Sequence, residues 1–213
     1  MRKISLSLVF VFCTISAFSQ YKYRDSNRIG ISFGVNQFTL NTDNFETKPE
    51  LGWDAGLCMR GNFYNNWDMV YAIQFSENNF SVATNSLTLA KEDVNYKLAS
   101  AQIALQASFK IIESHLSLEF GPIVQVNGKF KIDSNKENNN ISGTTLLAKD
   151  IVDISKFNLY PTVGITAGVR HFRINFSYQY GLNNMLANLN NKNLGVNFKV
   201  NSGIINADLI LYL

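Results

Sequence analysis

Apolar and polar residues alternate with a period of two along most of this chain. Eight segments show the pattern, and the apolar face of each carries no charged residue. They cover residues 29–36, 51–60, 67–76, 99–109, 116–127, 163–170, 172–181 and 205–213. Strict alternation is typical of β-strands that meet apolar surroundings on one face only. The pattern therefore predicts eight strands and an all-β fold.

The opposite face of these segments is polar, small and rich in amides. It carries the charged residues Asp54, Arg60, Asp68, Glu119, Arg170, Arg173 and Asp208. Each segment extends to about 9–14 residues, whereas a membrane-crossing strand needs about 9–11 and a soluble strand is usually about 5–6. We therefore predict an eight-stranded antiparallel transmembrane β-barrel with a packed, polar interior. Its lumen charges are expected to be Asp54, Arg60, Glu119, Arg170, Arg173 and Asp208, with both signs able to form ion pairs.

The connections between the segments alternate between long and short. The long ones are roughly 39–50, 77–96, 133–156 and 183–200, and the short ones roughly 61–66, 110–114 and 170–172. Outer-membrane barrels have short periplasmic turns and longer extracellular loops. An even number of strands then places both termini on the periplasmic side.

Three local features refine this prediction. Residues 146–154 are apolar enough to form a short helix over the barrel mouth. Pro122 and Pro161 lie within or beside predicted strands, where proline indicates a bulge or a strand end.

The first residues of the chain resemble a secretory signal. A basic start is followed by an apolar stretch and then by small residues, which places a cleavage site between Ser19 and Gln20. A membrane anchor is the alternative, but the apolar stretch is short. We expect a signal peptide at 1–19 and one barrel domain at 20–213.

Composition excludes several classes of protein. Charged residues make up 16% of the 213 residues, against about 25% in soluble domains, and the mean hydropathy is −0.04. No apolar run is long enough for a polytopic helical membrane protein. The formal net charge of +3 falls to +1 without Arg2 and Lys3, and no Lys/Arg cluster suggests a nucleic-acid partner. Removal of the predicted signal peptide also removes Cys13. Cys58 then has no other cysteine to form a disulfide with, and we expect its thiol to be inert.

Candidate chemistry is sparse. His115, Ser117 and Glu119 alternate on one strand face, as the catalytic groups of a lipid-modifying barrel enzyme would. Residues two apart on a strand are about 6.6–6.8 Å apart, so turn polarity and a lumen carboxylate explain them more simply. His171 belongs to a basic turn. Nothing has zinc-ligand spacing or forms a phosphate loop, so no cofactor and no metal are expected.

Five glycine-marked motifs resemble the PorT-like outer-membrane β-barrel family of Gram-negative bacteria, which shares the OmpA-like small-barrel architecture. The motifs are RIGISFGV at 28–35, LGWDAGL at 51–57, LEFGPIV at 118–124, VGITAGV at 163–169 and FSYQYGL at 176–182. The resemblance implies an outer-membrane barrel without known catalytic residues, and it links the family's founding member to protein secretion.

Together these features predict a non-enzymatic protein of the outer membrane. Its expected role is structural or interactive: envelope integrity, adhesion, or an accessory part in protein secretion. Expected partners are outer-membrane lipid, the barrel assembly machinery, and a secretion-complex or surface partner. Two alternatives stay open, namely a lipid-modifying barrel enzyme and a periplasmic lipocalin-like barrel, whose apolar face would point inward.

Overall fold

The computed structural model describes residues 27–86, 90–190 and 197–213. The predicted signal peptide and its cleavage site at Ser19 and Gln20 lie outside these residues. Nine strands are described: β1 Arg28–Asn41, β2 Thr47–Tyr64, β3 Trp67–Asn85, β4 Lys91–Ile112, β5 Leu116–Asn127, β6 Asn140–Ile141, β7 Phe157–Gly168, β8 Phe172–Tyr180 and β9 Asn201–Tyr212. The helical elements are short: two 3₁₀ turns, Ser134–Lys136 and Ala148–Ile151, and helix α1, Ala187–Asn190.

Eight of the strands close into one antiparallel ring. Their order is β2-β1-β9-β8-β7-β5-β4-β3, and pairing of β2 with β3 completes the circle. The first and last strands pair along twelve positions, from Gly30–Tyr212 to Asn41–Asn201. Strand β6 lies outside the ring and pairs with the far end of β3. The prediction of an eight-stranded antiparallel barrel is therefore confirmed.

The two ends of the barrel differ in their connections. At the end that we call the turn end, β2–β3, β4–β5 and β7–β8 are joined by two or three residues. Asn65 and Ser114 adopt positive φ in two of these turns, and Gly168 has φ +149° where β7 ends. β1 begins and β9 finishes at this same end. The opposite end, the loop end, carries residues 128–156 and, among the described residues after β8, 181–190 and 197–200.

A belt of apolar side chains covers the outside of the barrel. On β3, for example, Tyr71, Ile73 and Phe75 are exposed, whereas their neighbours Val70 and Ser76 are buried. A lipocalin-like barrel needs the reverse arrangement, with its apolar face inside. The structure therefore contradicts that alternative. None of the helices in the described part of the chain is long and apolar enough to cross a membrane.

Two predicted loops are mostly strand. β3 continues to Asn85 and β4 begins at Lys91, so most of 77–96 forms a long hairpin. Likewise, β1 reaches Asn41 and β2 begins at Thr47, which shortens the loop predicted at 39–50. The prediction of long connections here is wrong because the alternation continues into these segments in the opposite phase.

The segment 128–156 folds over the loop end of the barrel. This agrees with the expectation that its apolar residues 146–154 cover the barrel mouth. Within 146–154 the structure forms the 3₁₀ turn Ala148–Ile151, whose residues Ala148 and Ile151 are fully buried. The expected short helix is thus a single 3₁₀ turn.

The two strand prolines occupy an unexpected position. Pro122 on β5 lies directly opposite Pro161 on β7, and the register on either side is unbroken. Pairing of β4 with β5 stops at Ala104–Ile123 and resumes in the same register at Ala107–Phe120. The prediction of a bulge or strand end at Pro122 is therefore wrong: proline interrupts one ladder without shifting it, because it lacks an N–H group. Pro161, also mid-strand, precedes the first β7–β8 pair.

Restoring the missing donor is expected to stabilise the barrel. Valine at position 122 supplies an N–H group at the place where the β4–β5 ladder is interrupted, within the apolar wall. We expect Pro122→Val to raise the free energy of unfolding by about 1 kcal/mol. Urea titration of the folded protein in detergent measures this. Leu118→Val is the control, since Leu118 already pairs with Phe109. Equal midpoints for the two variants would contradict the explanation.

Candidate functional site

A buried polar network fills the lumen near the turn end, and Arg60 lies at its centre. Its guanidinium donates from Nη1 to Ser108 Oγ at 2.7 Å and to Asp68 Oδ2 at 3.4 Å. Nη2 forms an ion pair with Glu119, and Nε donates to the Tyr212 hydroxyl at 3.3 Å. Five strands therefore meet through one side chain.

The two acids of the network have further partners. Glu119 Oε2 accepts from Asn175 Nδ2 at 3.2 Å, and Asn175 also donates to Thr166 at 2.8 Å. Asp68 Oδ1 lies 2.9 Å from Lys110 Nζ. Both acids are almost fully buried, at 2% exposure for Glu119 and 1% for Asp68. Because Arg60 and Lys110 pair with these two acids, the four charges are held inside the barrel without access to bulk water.

The six residues predicted to carry lumen charges do not all lie inside. The structure places five of them in the buried interior: Asp54, Arg60, Glu119, Arg173 and Asp208. Arg170 is different, because it is exposed in the turn between β7 and β8. The placement of Arg170 in the lumen is therefore wrong: β7 ends at Gly168, before the alternation reaches it.

Two buried cations escaped the prediction. Arg28 begins β1 and donates from Nη1 to the carbonyl oxygen of Arg170 at 2.7 Å. Lys110, which pairs with Asp68, was assigned to a turn although β4 continues to Ile112. Both continue the polar phase of their strands at even positions, so extending the alternation by one or two residues would have found them.

The proposed catalytic triplet is not assembled. His115 is exposed, and its Nδ1 lies 2.7 Å from the carbonyl oxygen of Glu113. Ser117 is fully buried inside the barrel, and its Oγ has no hydrogen-bond partner. The oxygens of Glu119 already accept from the lumen network. Since a serine nucleophile needs a base within hydrogen-bond reach, this triplet lacks its base.

At the loop end the interior changes from polar to apolar. Phe80 is fully buried and packs against Phe38, Tyr96 and Phe130, with ring centroids 5.7, 5.0 and 4.9 Å away. The Tyr96 hydroxyl donates to the carbonyl oxygen of Ala148 at 3.0 Å, and burial raises the pKa of Tyr96. We call this cluster, with the 128–156 segment that it anchors, the apolar cap.

Charged side chains line the outer surface of the cap. Lys48 and Asp93 form an ion pair at 2.6 Å, and hydrogen bonding to Asp93 raises the pKa of Lys48. Lys136 and Glu92 form a second at 2.6 Å, in which the Lys136 hydrogen bond lowers the pKa of Glu92. These pairs are solvated, so they contribute little to stability. They leave the surface of the cap polar.

Other reactive groups show no site. Cys58 is a buried free cysteine, and His171 Nδ1 lies 3.1 Å from the carbonyl oxygen of Tyr212. Among the described residues, no three His, Cys, Asp or Glu side chains are grouped as metal ligands.

An outward apolar belt around a closed, polar-lined ring defines a membrane-spanning β-barrel. The sequence model of the outer membrane protein beta-barrel domain family matches residues 18–187. The chain belongs to this family, and its location is the outer membrane. In this geometry the turn end faces the periplasm and the loop end faces outward.

Several solved barrels are similar to the chain. Neisserial surface protein A is 11% identical, with a TM-score of 0.49 over 88% of this chain and 99% of that one. Ail, the attachment invasion locus protein of Yersinia pestis, was solved with the heparin analogue sucrose octasulfate. It is 17% identical, with a TM-score of 0.49 and coverage of 88% and 100%. OprG from Pseudomonas aeruginosa is 13% identical, with a TM-score of 0.49 and coverage of 89% and 97%. The search among curated proteins found no match.

Proposed function

We propose that this protein is a non-enzymatic outer-membrane barrel that acts through its loop end as an interaction surface. The observation that carries the proposal is the apolar cap. The 29 residues between β5 and β7, 128–156, are held over the barrel by buried side chains such as Ile141, Leu146 and Ile151. Ordering a loop before binding reduces the entropy lost on association. A cap held in one shape therefore suits recognition of a partner.

The packed interior supports this role over transport. One lumen cavity, near the middle of the barrel, has a volume of about 40 Å³, which is room for only a few water molecules. Above it the apolar cap fills the same space. An eight-stranded barrel has room for side chains rather than an aqueous channel.

The proposed partners follow from the surfaces of the barrel. Outer-membrane lipid contacts the apolar belt, and the barrel assembly machinery inserts the protein. The cap contacts a secretion-complex component or a surface partner, in line with the resemblance to the PorT-like family. Adhesion and a role in secretion both use this cap, whereas a purely structural role in the envelope does not. A nucleic-acid partner is not expected.

Photo-crosslinking in intact cells tests the proposal. Thr145→Cys places a label on the exposed surface of the cap, and Arg170→Cys places the same label in an exposed periplasmic turn. Cys58 is buried and escapes labelling. We expect a discrete protein crosslink from position 145 that position 170 does not give.

Crosslinks to lipid alone from both positions would overturn the interaction role and favour a structural one. The identity of a protein captured at position 145 separates adhesion from secretion. A lipid-modifying activity of the purified protein that Ser117→Ala abolishes would contradict the non-enzymatic assignment.

A further inference from the structure

An apolar groove lies on the outer wall of the barrel, between β5 and β7. At its floor Pro122 faces Pro161, since the two prolines are direct partners across these strands. The compact proline rings leave a depression of about 350 Å³, which is bounded by the larger side chains of Phe120, Leu159 and Leu182. All three of these side chains are exposed on the outer face. The wall of the barrel is therefore indented within the apolar belt.

Four lysines lie beyond this groove in the direction of the loop end. Lys97 on β4 and Lys131 are direct partners, joined by two backbone hydrogen bonds of 3.0 and 2.8 Å. Lys129 comes two residues before Lys131, and the carbonyl oxygen of Lys156 accepts from the backbone N–H of Asn127 at 2.8 Å. All four lysines are exposed, and we call them the lysine cluster. The hydrogen bonds place the cluster at one level on neighbouring segments of the wall.

This level coincides with the end of the apolar belt. Val126 and Phe157, the strand pair next to Lys156, are still apolar and exposed. Lys156 is five residues from Pro161, so the cluster lies about 16 Å from the groove along β7. Half of the hydrocarbon core of a bilayer is about 15 Å thick. A lipid with its headgroup at the cluster therefore has its acyl chains beside the groove.

The lysine cluster carries an excess of positive charge. Lys97 lies 3.9 Å from Glu77 Oε1. The other three lysines form no ion pair within the described part of the chain, although Asp133 and Asp153 are near them in sequence. Like charges directly opposite each other on a sheet are destabilising. Because Lys97 faces Lys131 in this way, the cluster is suited to an anionic partner.

An anionic lipid matches both the cluster and the groove. Lysine binds phosphate as a point charge through strong charge-assisted hydrogen bonds. The loop end faces outward, so the lipid within reach belongs to the outer leaflet of the membrane. An uncharged lipid would leave the lysines without an anion, and a small soluble anion would leave the groove empty.

We propose that the lysine cluster and the groove together bind a phosphate-bearing lipid of the outer leaflet. Its phosphates contact Lys129, Lys131 and Lys156, and one acyl chain packs over the two prolines, between Phe120 and Leu159. The lipid lies against β5 and β7 at the membrane boundary. The site uses the side wall of the barrel, so it does not depend on the proposed protein partner of the cap.

Native mass spectrometry with lipid A tests this binding. The protein is folded into detergent micelles and titrated with lipid A, which carries two phosphates and several acyl chains. We expect one bound molecule, and Lys129→Gln/Lys156→Gln should weaken its binding by roughly 10–30-fold, the effect of two lysines at an anionic lipid surface. The matched control is Lys149→Gln/Lys199→Gln, which removes two exposed lysines elsewhere at the loop end and should bind as the wild type does.

Shortening the rims of the groove gives a second measurement. Leu159→Ala/Leu182→Ala removes packing contacts with the acyl chain and should lower the affinity for lipid A about threefold. Leu51→Ala/Leu57→Ala, which shortens two exposed leucines on β2, should leave the affinity unchanged. Unchanged binding in the lysine variant would overturn the proposal. Equal affinities in the two leucine variants would also overturn it, because the acyl chain would then have no preferred place on the barrel.

Discussion

Replacing Glu119 by glutamine is expected to lower the free energy of unfolding by about 3–5 kcal/mol, because breaking one partner of a buried ion pair leaves the other charge uncompensated. Arg60 would keep Asp68 alone, at 3.4 Å, and Asp68 already faces Lys110. Arg173, which is fully buried, would lose a nearby negative charge. Glutamine keeps the shape of the side chain, so the effect reports charge and not a cavity.

Urea titration with heat-modifiable gel migration as the readout measures this loss. The control is Asp93→Asn, which removes the exposed ion pair with Lys48 and should cost less than about 1 kcal/mol. If both variants lost the same stability, the lumen network would not hold the strands together. A folded Glu119→Gln barrel of undiminished stability would show that Arg60 and Arg173 find other partners.

The eight membrane strands could be predicted from the sequence because lipid imposes a simple rule. A side chain in contact with hydrocarbon must be apolar, and every second residue of a spanning strand faces it. Ile31 and Phe33, for example, are exposed on β1, while Ser32 between them is buried. The alternation therefore records the environment of each strand directly.

The same rule hid the part of the barrel that rises above the lipid. On β3 the apolar positions are odd-numbered up to Phe75, and then Phe80 and Val82 are buried at even positions. On β4 the buried apolar residue Tyr96 is even-numbered, and the exposed Ile103 is odd-numbered. Outside the membrane, water contacts the outer face, so apolar side chains turn inward. The point where the apolar positions change from odd to even numbers therefore marks the membrane boundary. This change predicts the cap only if the strand is assumed to continue beyond that point.

The sequence predicts which charged residues face the lumen, but it does not predict which of them contact each other. Arg60 bonds to Glu119, 59 residues later, and to Tyr212, 152 residues later. Which charges meet depends on the stagger between strands, and residue spacing along one strand contains no information about it. Arg170 shows that even the lumen position of a charged residue can be predicted wrongly. Its type fits the pattern, but a turn at Gly168 removes it from the barrel.

Truncating Phe80 is expected to have the other large effect. Phe80→Ala removes a fully buried ring from the centre of the apolar cap, and large-to-small changes of this kind cost about 3–5 kcal/mol. Because Phe80 contacts Phe130 and Tyr96, the loss falls on the attachment of 128–156. We expect faster amide exchange in that segment and trypsin cleavage at Lys131, which the wild type resists.

Phe75→Ala is the matched control, since this ring on the same strand is 62% exposed on the lipid-facing side. Its loss leaves no internal cavity, so the cap should stay protected.

The location of the damage caused by Phe80→Ala also shows whether the cap and the barrel unfold as one unit or as two. If the cap opens while heat-modifiable migration still shows a closed barrel, cap and barrel unfold as separate units, because the polar lumen at Arg60 and Glu119 keeps its own contacts. If the cap and the closed barrel are lost at the same urea concentration, the cap helps to close the ring. The long extensions of β3 and β4 then stabilise the barrel as well as forming its outer surface.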